Sequence, residues 1–322
     1  MRGELAKALG QASQIQPFWL DGPTGTQLEA CGFASHPELW TAAASADCPE
    51  LLATVHRRYL AVGSHSVTAN TFRSTAFAAR KAGLDPQRAH AWMQKAVAIA
   101  RTVTQEFAKP RRWVWGSMAP LGDCYQPQQA PNDSVLTVEH ARNADWLMEA
   151  GCDGILIETQ GSAREALCAL RAARRRCEGP ILVSFLPADQ GTTLLNGDDL
   201  LQTAAACRDE GADGLLVNCA HADVVLRAIE GLSVFNARQS DAPLLGAYPN
   251  ADRRVLRSDG EWAWEADSQD RAQRVLRIRA LQQAGARVLG ACCGFGPDDL
   301  AQWIAALAPH PFAAVGSLHD RS

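Results

Sequence analysis

Short apolar runs recur along this chain, and a helical pattern follows each of them. That alternation limits the fold more than any other feature. A strand buried on both faces reads as a near-continuous apolar run, and such strands belong to parallel sheets with helical crossovers. The runs fall at 17–22, 64–72, 112–117, 154–159, 181–186, 214–219, 244–248 and 287–292. The helical patterns fall at 49–62, 86–108, 137–150, 163–176, 198–210, 222–231, 268–284 and 297–307. Ser268 is the expected cap of the seventh helix, with Asp270 in its first turn.

Three helix-to-strand joints repeat one motif: Glu149-Ala-Gly-Cys-Asp-Gly154, Asp209-Glu-Gly-Ala-Asp-Gly214 and Gln283-Ala-Gly-Ala-Arg287. Glycine there takes the left-handed conformation that ends a helix. This is joint chemistry and carries no functional information. Eight strand–helix pairs describe an α/β fold, a (β/α)8 barrel of the TIM type, as a single domain over 1–322 with 1–16 as an N-terminal extension. A doubly wound sheet is the rival. The count favours the barrel, and so do the polar side chains at strand ends: Asp21, Asn70, Ser117, Glu158, Asn218, Cys219, Tyr248 and Cys292. Barrel enzymes build their sites on that face. Two connections, 119–136 and 249–267, are longer than a barrel needs and would rise over the same face, as a lid, a substrate wall or packed surface loops.

Composition narrows the function by exclusion. Across 322 residues the net charge is −4 with both signs interspersed, which gives no argument for nucleic acid or an anionic membrane surface. No run approaches the length of a membrane span. The start, 1–16, contains Glu4 and Lys7 and no sustained apolar core, so no signal peptide is expected. Ten cysteines at irregular spacing in such a chain fit a reducing cytoplasm, as thiols or metal ligands.

Three of those cysteines stand apart. Cys292 and Cys293 are adjacent, between Gly290-Ala291 and Gly294, just after an apolar run. Neighbouring side chains on a strand point to opposite faces, so one object can bind both thiols only if the backbone turns there, which Gly290 and Gly294 permit. Cys219 ends another run. Three thiolates from two strand ends would make a zinc site with one open position. Such an electron-rich site suits the binding of a substrate thiol as thiolate, since a free thiol titrates near ~8.5 and a bound one loses its proton. It would also attract a cationic methyl donor.

Seven stretches then carry a resemblance over nearly the whole chain: Asp21-Gly-Pro-Thr-Gly-Thr26, Ala69-Asn-Thr-Phe72, Gly116-Ser-Met-Ala-Pro-Leu-Gly122, Ile157-Glu-Thr159, Val217-Asn-Cys219, Tyr248-Pro-Asn250 and Gly290-Ala-Cys-Cys-Gly294. In this order they resemble the homocysteine S-methyltransferase family, zinc-dependent barrels that methylate homocysteine to methionine. The resemblance implies Cys219, Cys292 and Cys293 as Zn2+ ligands, and Asp21 and Glu158 beside the substrate's ammonium. Acids at strand ends also cap backbone amides, which is the plainer role for both. Gly22, Thr26, Asn70 and Asn218 join them as expected substrate contacts, the amides of 22–26 forming a nest for the carboxylate. The implied partners are homocysteine and a donor, S-methylmethionine or S-adenosylmethionine. Other readings are a different thiol or selenol acceptor, a corrinoid-protein donor, a phosphate-binding barrel using Gly294-Phe-Gly296, and a non-enzymatic zinc- or redox-responsive barrel.

The chain departs from the family where Ala291 replaces a glycine, where Ala251-Asp252 follows Asn250, and at Arg73, where betaine-using relatives carry an aromatic. An arginine facing the pocket would disfavour a small cationic donor. His65 and His221 read as structural, Cys124 as incidental, and Cys31, Cys48, Cys152, Cys168, Cys177 and Cys207 as packing. The run Arg171 to Arg176 reads as a solvated helix face, and Trp113 and Trp115 as packing against helices.

Overall fold

Each apolar run becomes a strand, and the eight barrel strands form one parallel sheet in the computed structural model, which describes residues 2–13, 16–107, 109–256, 262–265 and 270–308. The strands are β1 Phe18–Trp19, β2 Ser66–Ala69, β3 Trp113–Met118, β4 Gly154–Gln160, β5 Ile181–Phe185, β6 Gly214–His221, β7 Leu244–Asn250, β8 Arg253–Leu256, β9 Trp262–Glu265 and β10 Val288–Leu289. The barrel order is β1-β10-β7-β6-β5-β4-β3-β2, while β8 and β9 pair as an antiparallel hairpin within the second long connection.

Among the described residues no ladder joins β1 to β2, so one backbone bond and the side chains of His65 and Asp21 close the ring. The Trp19 amide donates to His65 Nδ1 at 2.8 Å, and the His65 amide returns a bond to the Trp19 carbonyl at 2.8 Å. One step further, the Asp21 carboxylate accepts from the Thr68 amide at 2.8 Å and from its hydroxyl at 2.9 Å. His65 is thus a staple, and burial pushes its imidazole down to about 4, keeping it neutral and able to accept.

β1 and β10 are shorter than the runs that predict them because the two chains close up there. A Cβ on Gly290 would stand 2.9 Å from Leu20 Cβ and 3.0 Å from the Asp21 carbonyl. The regular ladder ends at this crowded point, and Gly290 is required for close approach rather than for a left-handed turn.

Strand alternation sorts the core into two layers. Val114, Ile155, Val183, Val217 and Leu289 face outward onto the helices, and Phe18, Leu156, Leu182, Leu216 and Val288 fill the barrel. Trp113 and Trp115 belong to the inner set, which corrects the expectation that they pack against helices. The ring is wide enough on that side to take indoles, and Trp115 Nε1 finds the Ser66 hydroxyl at 3.2 Å. Below them the helix Arg2–Gly10 places Leu5 and Leu9 in the same inner cluster, as a plug at the barrel's floor.

The helices follow their patterns with shifts at the ends. The helix expected at 137 begins at Asp133, because the Asn132 side chain accepts from the Val135 amide. The helix from Ala222 runs through Gly231 to Asn236. Arg271–Gln283 is capped by Asp270 in a capping box with Gln273; Ser268 lies outside the described residues. Thr24–Ala30, Ala44–Asp47 and Ala76–Lys81 are additional short helices. Arg171, Arg174 and Arg176 pair with Glu210, Asp213 and Asp145, as a solvated face should. No helix among the described residues is long and apolar enough to cross a membrane.

Leu5 is 0 % and Leu9 2 % exposed. Leu5→Ala or Leu9→Ala should each cost about 2–5 kcal/mol of unfolding free energy, read from urea midpoints. Losses near zero would mean that the helix does not pack the floor.

Candidate metal centre

Cys219 reaches the barrel mouth through a break in its strand. Regular alternation puts Asn218 inside and would send Cys219 outward onto the helices. Instead Cys219 adopts φ +55°, and the pairing of β6 with β7 shifts register between Asn218 and His221. β4 does the same at its own end. Thr159 has φ +63°, and the register with β5 shifts between Ile157 and Gln160. A left-handed non-glycine residue is uncommon, and a β-branched one is an outlier held by its surroundings. The bulges re-aim both side chains.

The other two thiols arrive on the turn after β10. Gly294 takes φ +84°, the Cys292 amide donates to the Pro249 carbonyl at 2.9 Å, and the Cys293 carbonyl accepts from the Ala251 amide at 2.9 Å. The result is that Cys219, Cys292 and Cys293 bring their sulfurs within 4.8 Å of one another, with 2.9 Å between Cys219 and Cys292.

Thiolates bound to a tetrahedral ion at ~2.3 Å stand about 3.8 Å apart, so an opening of about 0.9 Å between the closest pair makes room for one. The donor set fits a thiophilic metal ion. Without a cation the buried cluster resists charge: hydrogen bonds from Cys219 and Cys292 hold Cys293 well below the usual thiol range, while the bonds of Cys292 to the other two sulfurs, and burial, hold it well above.

The cluster forms the floor of a cavity of about 800 Å³ at the C-terminal ends of the strands. Asp21, Gly22, Thr26, Asn70 and Glu158 all line it. Asp21 and Glu158 are raised to about 7 by burial, with the charge of Glu158 adding to the effect at Asp21 and that of Cys219 at Glu158. Glu158 accepts from the Ser117 hydroxyl and from the Tyr248 hydroxyl, the latter at 3.4 Å. Gly22 lies against the Tyr59 ring, where a Cβ would come within 2.6 Å, and the buried Thr26 hydroxyl has no hydrogen-bond partner among the described residues. Asn70 lines the cavity, but its amide donates to the Thr41 carbonyl at 2.8 Å and accepts from the Thr41 hydroxyl at 3.1 Å, holding the loop before it.

Asn218 departs from expectation. It is 0 % exposed and does not line the cavity. Its carbonyl oxygen accepts from the Thr159 amide at 3.1 Å and the Ser184 hydroxyl at 2.7 Å, and its amide donates to Thr159 Oγ1 at 3.0 Å and Cys219 Sγ at 3.4 Å. It sits behind the sulfur rather than in front of a substrate. His221 likewise serves structure, capping its helix through the Asp223 amide and meeting Arg277 at 3.1 Å.

Arg73 lines the cavity, yet its guanidinium turns onto the loop, donating to the carbonyls of Pro120 at 3.2 Å, Leu121 at 3.3 Å and Gly122 at 2.6 Å. The buried Glu165, joined to His140 at 3.1 Å, takes the Leu121 amide at 2.8 Å. So pinned, the loop sets Cys124 and Tyr125 in the cavity wall, and the Tyr125 hydroxyl lies 3.5 Å from the Cys219 carbonyl. Cys124 is therefore not incidental in place. Trp40 is the other residue that the pattern missed. It holds φ +45°, lies across Gly25, donates from Nε1 to Glu29 at 3.0 Å and meets Phe72 edge-on at 5.7 Å. Its segment has neither strand nor helix period, so only its aromatic bulk could have drawn notice.

The chain matches the family model of homocysteine S-methyltransferase over residues 18–307. It is 27 % identical over 306 residues to homocysteine S-methyltransferase YbgG of Bacillus subtilis (strain 168), covering 90 % of this chain and 93 % of that one. It is 28 % identical over 303 residues to homocysteine S-methyltransferase of Escherichia coli (strain K12), covering 88 % and 92 %. Among solved structures, the homocysteine methyltransferase MmuM of Escherichia coli in its metallated form has the same fold, with a TM-score of 0.77 at 23 % identity over 94 % of this chain and 98 % of that one.

The carboxyl of Asp21 ties its environment to pH. Its folded value of about 7 lies above the ordinary 3.8, so between those limits the folded chain keeps a proton that the unfolded chain has released. Stability therefore falls as pH rises through that window. Asp21→Asn keeps an acceptor for the Thr68 amide and removes the penalty. Its melting temperature should match wild type near pH 4 and exceed it by several degrees at pH 8; a difference that is flat with pH would contradict this account.

Proposed function

The chain belongs to the homocysteine S-methyltransferase family, and from that premise we propose that it transfers a methyl group from a sulfonium donor, S-methylmethionine or S-adenosylmethionine, to L-homocysteine, giving L-methionine. The observation that carries this reading is the convergence of three sulfurs at the floor of a cavity whose wall holds two protonatable carboxyls.

Cys219, Cys292 and Cys293 would hold Zn2+. The ion, when bound, supplies a fourth position at which an acceptor sulfur is kept deprotonated at neutral pH. The remaining work falls to the chain. Asp21 and Glu158 receive the ammonium of homocysteine; a cation between them favours their ionised forms and draws out the protons that burial keeps on them. The amides of Gly22 and of 24–26, at the start of the helix Thr24–Ala30, and the Thr26 hydroxyl receive the carboxylate. Held at both ends, the amino acid directs its sulfur toward the cluster. The thiol proton passes to solvent on binding, the sulfur lone pair forms a bond to the methyl carbon as the donor's sulfonium–methyl bond breaks, and the donor keeps that electron pair and leaves as a neutral thioether.

The outer cavity suits a positively charged donor. Trp40 and Phe72 present ring surface, and Glu29 and Asp123 line the same region. The Arg73 charge, which would oppose such a donor, is satisfied by three backbone carbonyls. A displacement of this kind gains from alignment and exclusion of water rather than from a general base. The pinned loop carrying Tyr125 supplies cover on one side.

Wild type isolated under reducing conditions should carry about one equivalent of zinc, as one tetrahedral site requires. Cys292→Ala should lose it together with methionine formation, assayed with each donor in turn. Glu158→Gln should retain zinc and raise the KM for homocysteine roughly 10–100-fold, the loss of a charge-assisted contact. Wild type without tightly bound zinc, or zinc-loaded protein that methylates no thiol or selenol, would remove the proposal.

A further inference from the structure

Thr159 belongs to the unassigned part of the site. It is 0 % exposed, β-branched, and held at φ +63° at the end of β4. Glycine or asparagine would take that backbone more readily. What threonine adds is a hydroxyl, and the structure shows where it goes: Oγ1 donates to Cys219 Sγ at 3.7 Å.

The polarity of that bond is set by its neighbours. Thr159 Oγ1 accepts from Asn218 Nδ2 at 3.0 Å, which leaves its proton free for the sulfur. Asn218 is oriented in turn because its oxygen receives the Thr159 amide at 3.1 Å and the Ser184 hydroxyl at 2.7 Å. Its nitrogen also donates to Cys219 Sγ, at 3.4 Å. Two donors from separate residues therefore meet one sulfur, and reversing the Asn218 amide would set its nitrogen against the Thr159 amide N–H, donor against donor. The same contacts cross-link the two bulged strand ends, β4 and β6, so the strain at Thr159 and at Cys219 is held by one network.

We propose that Thr159, seconded by Asn218, is a positioning residue for the metal centre: its hydroxyl and the Asn218 amide hold Cys219 as a ligand-ready sulfur and set the affinity of the cluster for its ion. A ligating cysteine carries negative charge, and outer groups that donate to it both orient it and stabilise that charge. The proposal rests on the reading of the three cysteines as a zinc site.

The test is zinc affinity, measured by competition with a chromophoric chelator at fixed pH, alongside the thermal melt of the metal-free protein. Thr159→Val keeps the β-branch, the size and the backbone cost, and removes only the hydroxyl. It should weaken zinc binding about 10–100-fold, and Thr159→Ser should restore it to near the wild-type value. A role confined to packing would lower the melting temperature of the metal-free protein in Thr159→Val and leave zinc affinity unchanged. That result, or a failure of Thr159→Ser to restore affinity, overturns the inference. Cys292→Ala run in parallel separates the two levels: if it loses zinc while Thr159→Val does not, only the positioning role falls, whereas zinc retained in Cys292→Ala removes the metal reading beneath it.

Discussion

Two strand ends in this barrel give up regular geometry so that one sulfur can leave its face of the sheet. Cys219 is on the outward side of β6 by alternation, and only its left-handed φ returns it to the mouth where Cys292 and Cys293 wait. Such a conformation costs of order 1–3 kcal/mol, and it persists because Asn218, Thr159 and Ser184 satisfy one another around it. Every chemical property discussed above depends on that detour. Without it the thiols would be three small buried hydrophobes on two faces of the sheet.

The same economy of groups marks the barrel seam. β1 is two residues long and forms no ladder with β2 among the described residues. His65 and Asp21 make the closure instead, and Asp21 also lines the cavity beside Glu158. A carboxyl group that accepts a backbone amide and lines the cavity does two jobs with one buried side chain. Burial raises its proton affinity, so the residue that closes the ring keeps its proton to higher pH than a free carboxyl does.

Long connections complete the site by being anchored rather than by being regular. Arg73 and Glu165 fix 120–122 from two sides, one through carbonyls and one through an amide. That arrangement turns the Arg73 guanidinium onto the loop carbonyls and sets Tyr125 in the cavity wall. The Arg73 substitution, a departure from the family pattern in sequence, is thereby accounted for as a loop anchor.

The alternating pattern by itself determined the eight strands and their parallel pairing, because burial on both faces of a strand leaves a continuous apolar trace whatever the surroundings, while the strand count and the polar strand ends favoured the barrel over a doubly wound sheet. The cysteine positions were legible for a similar reason: Cys219, Cys292 and Cys293 sit at strand ends, and strand ends meet at one mouth. Tertiary structure alone decided the rest. Asn218, an expected substrate contact, lies behind Cys219 because the bulge turns its neighbour and not itself into the cavity. Trp113 and Trp115 fill the barrel instead of its flank, since period two states that they share a face but not which face. Trp40, Cys124 and Tyr125 enter the wall from segments without period, where position follows from contacts made between residues far apart in the chain. Sequence periodicity reports local burial; the direction of a side chain at a bulge or in a loop is set by partners that only the folded chain brings near.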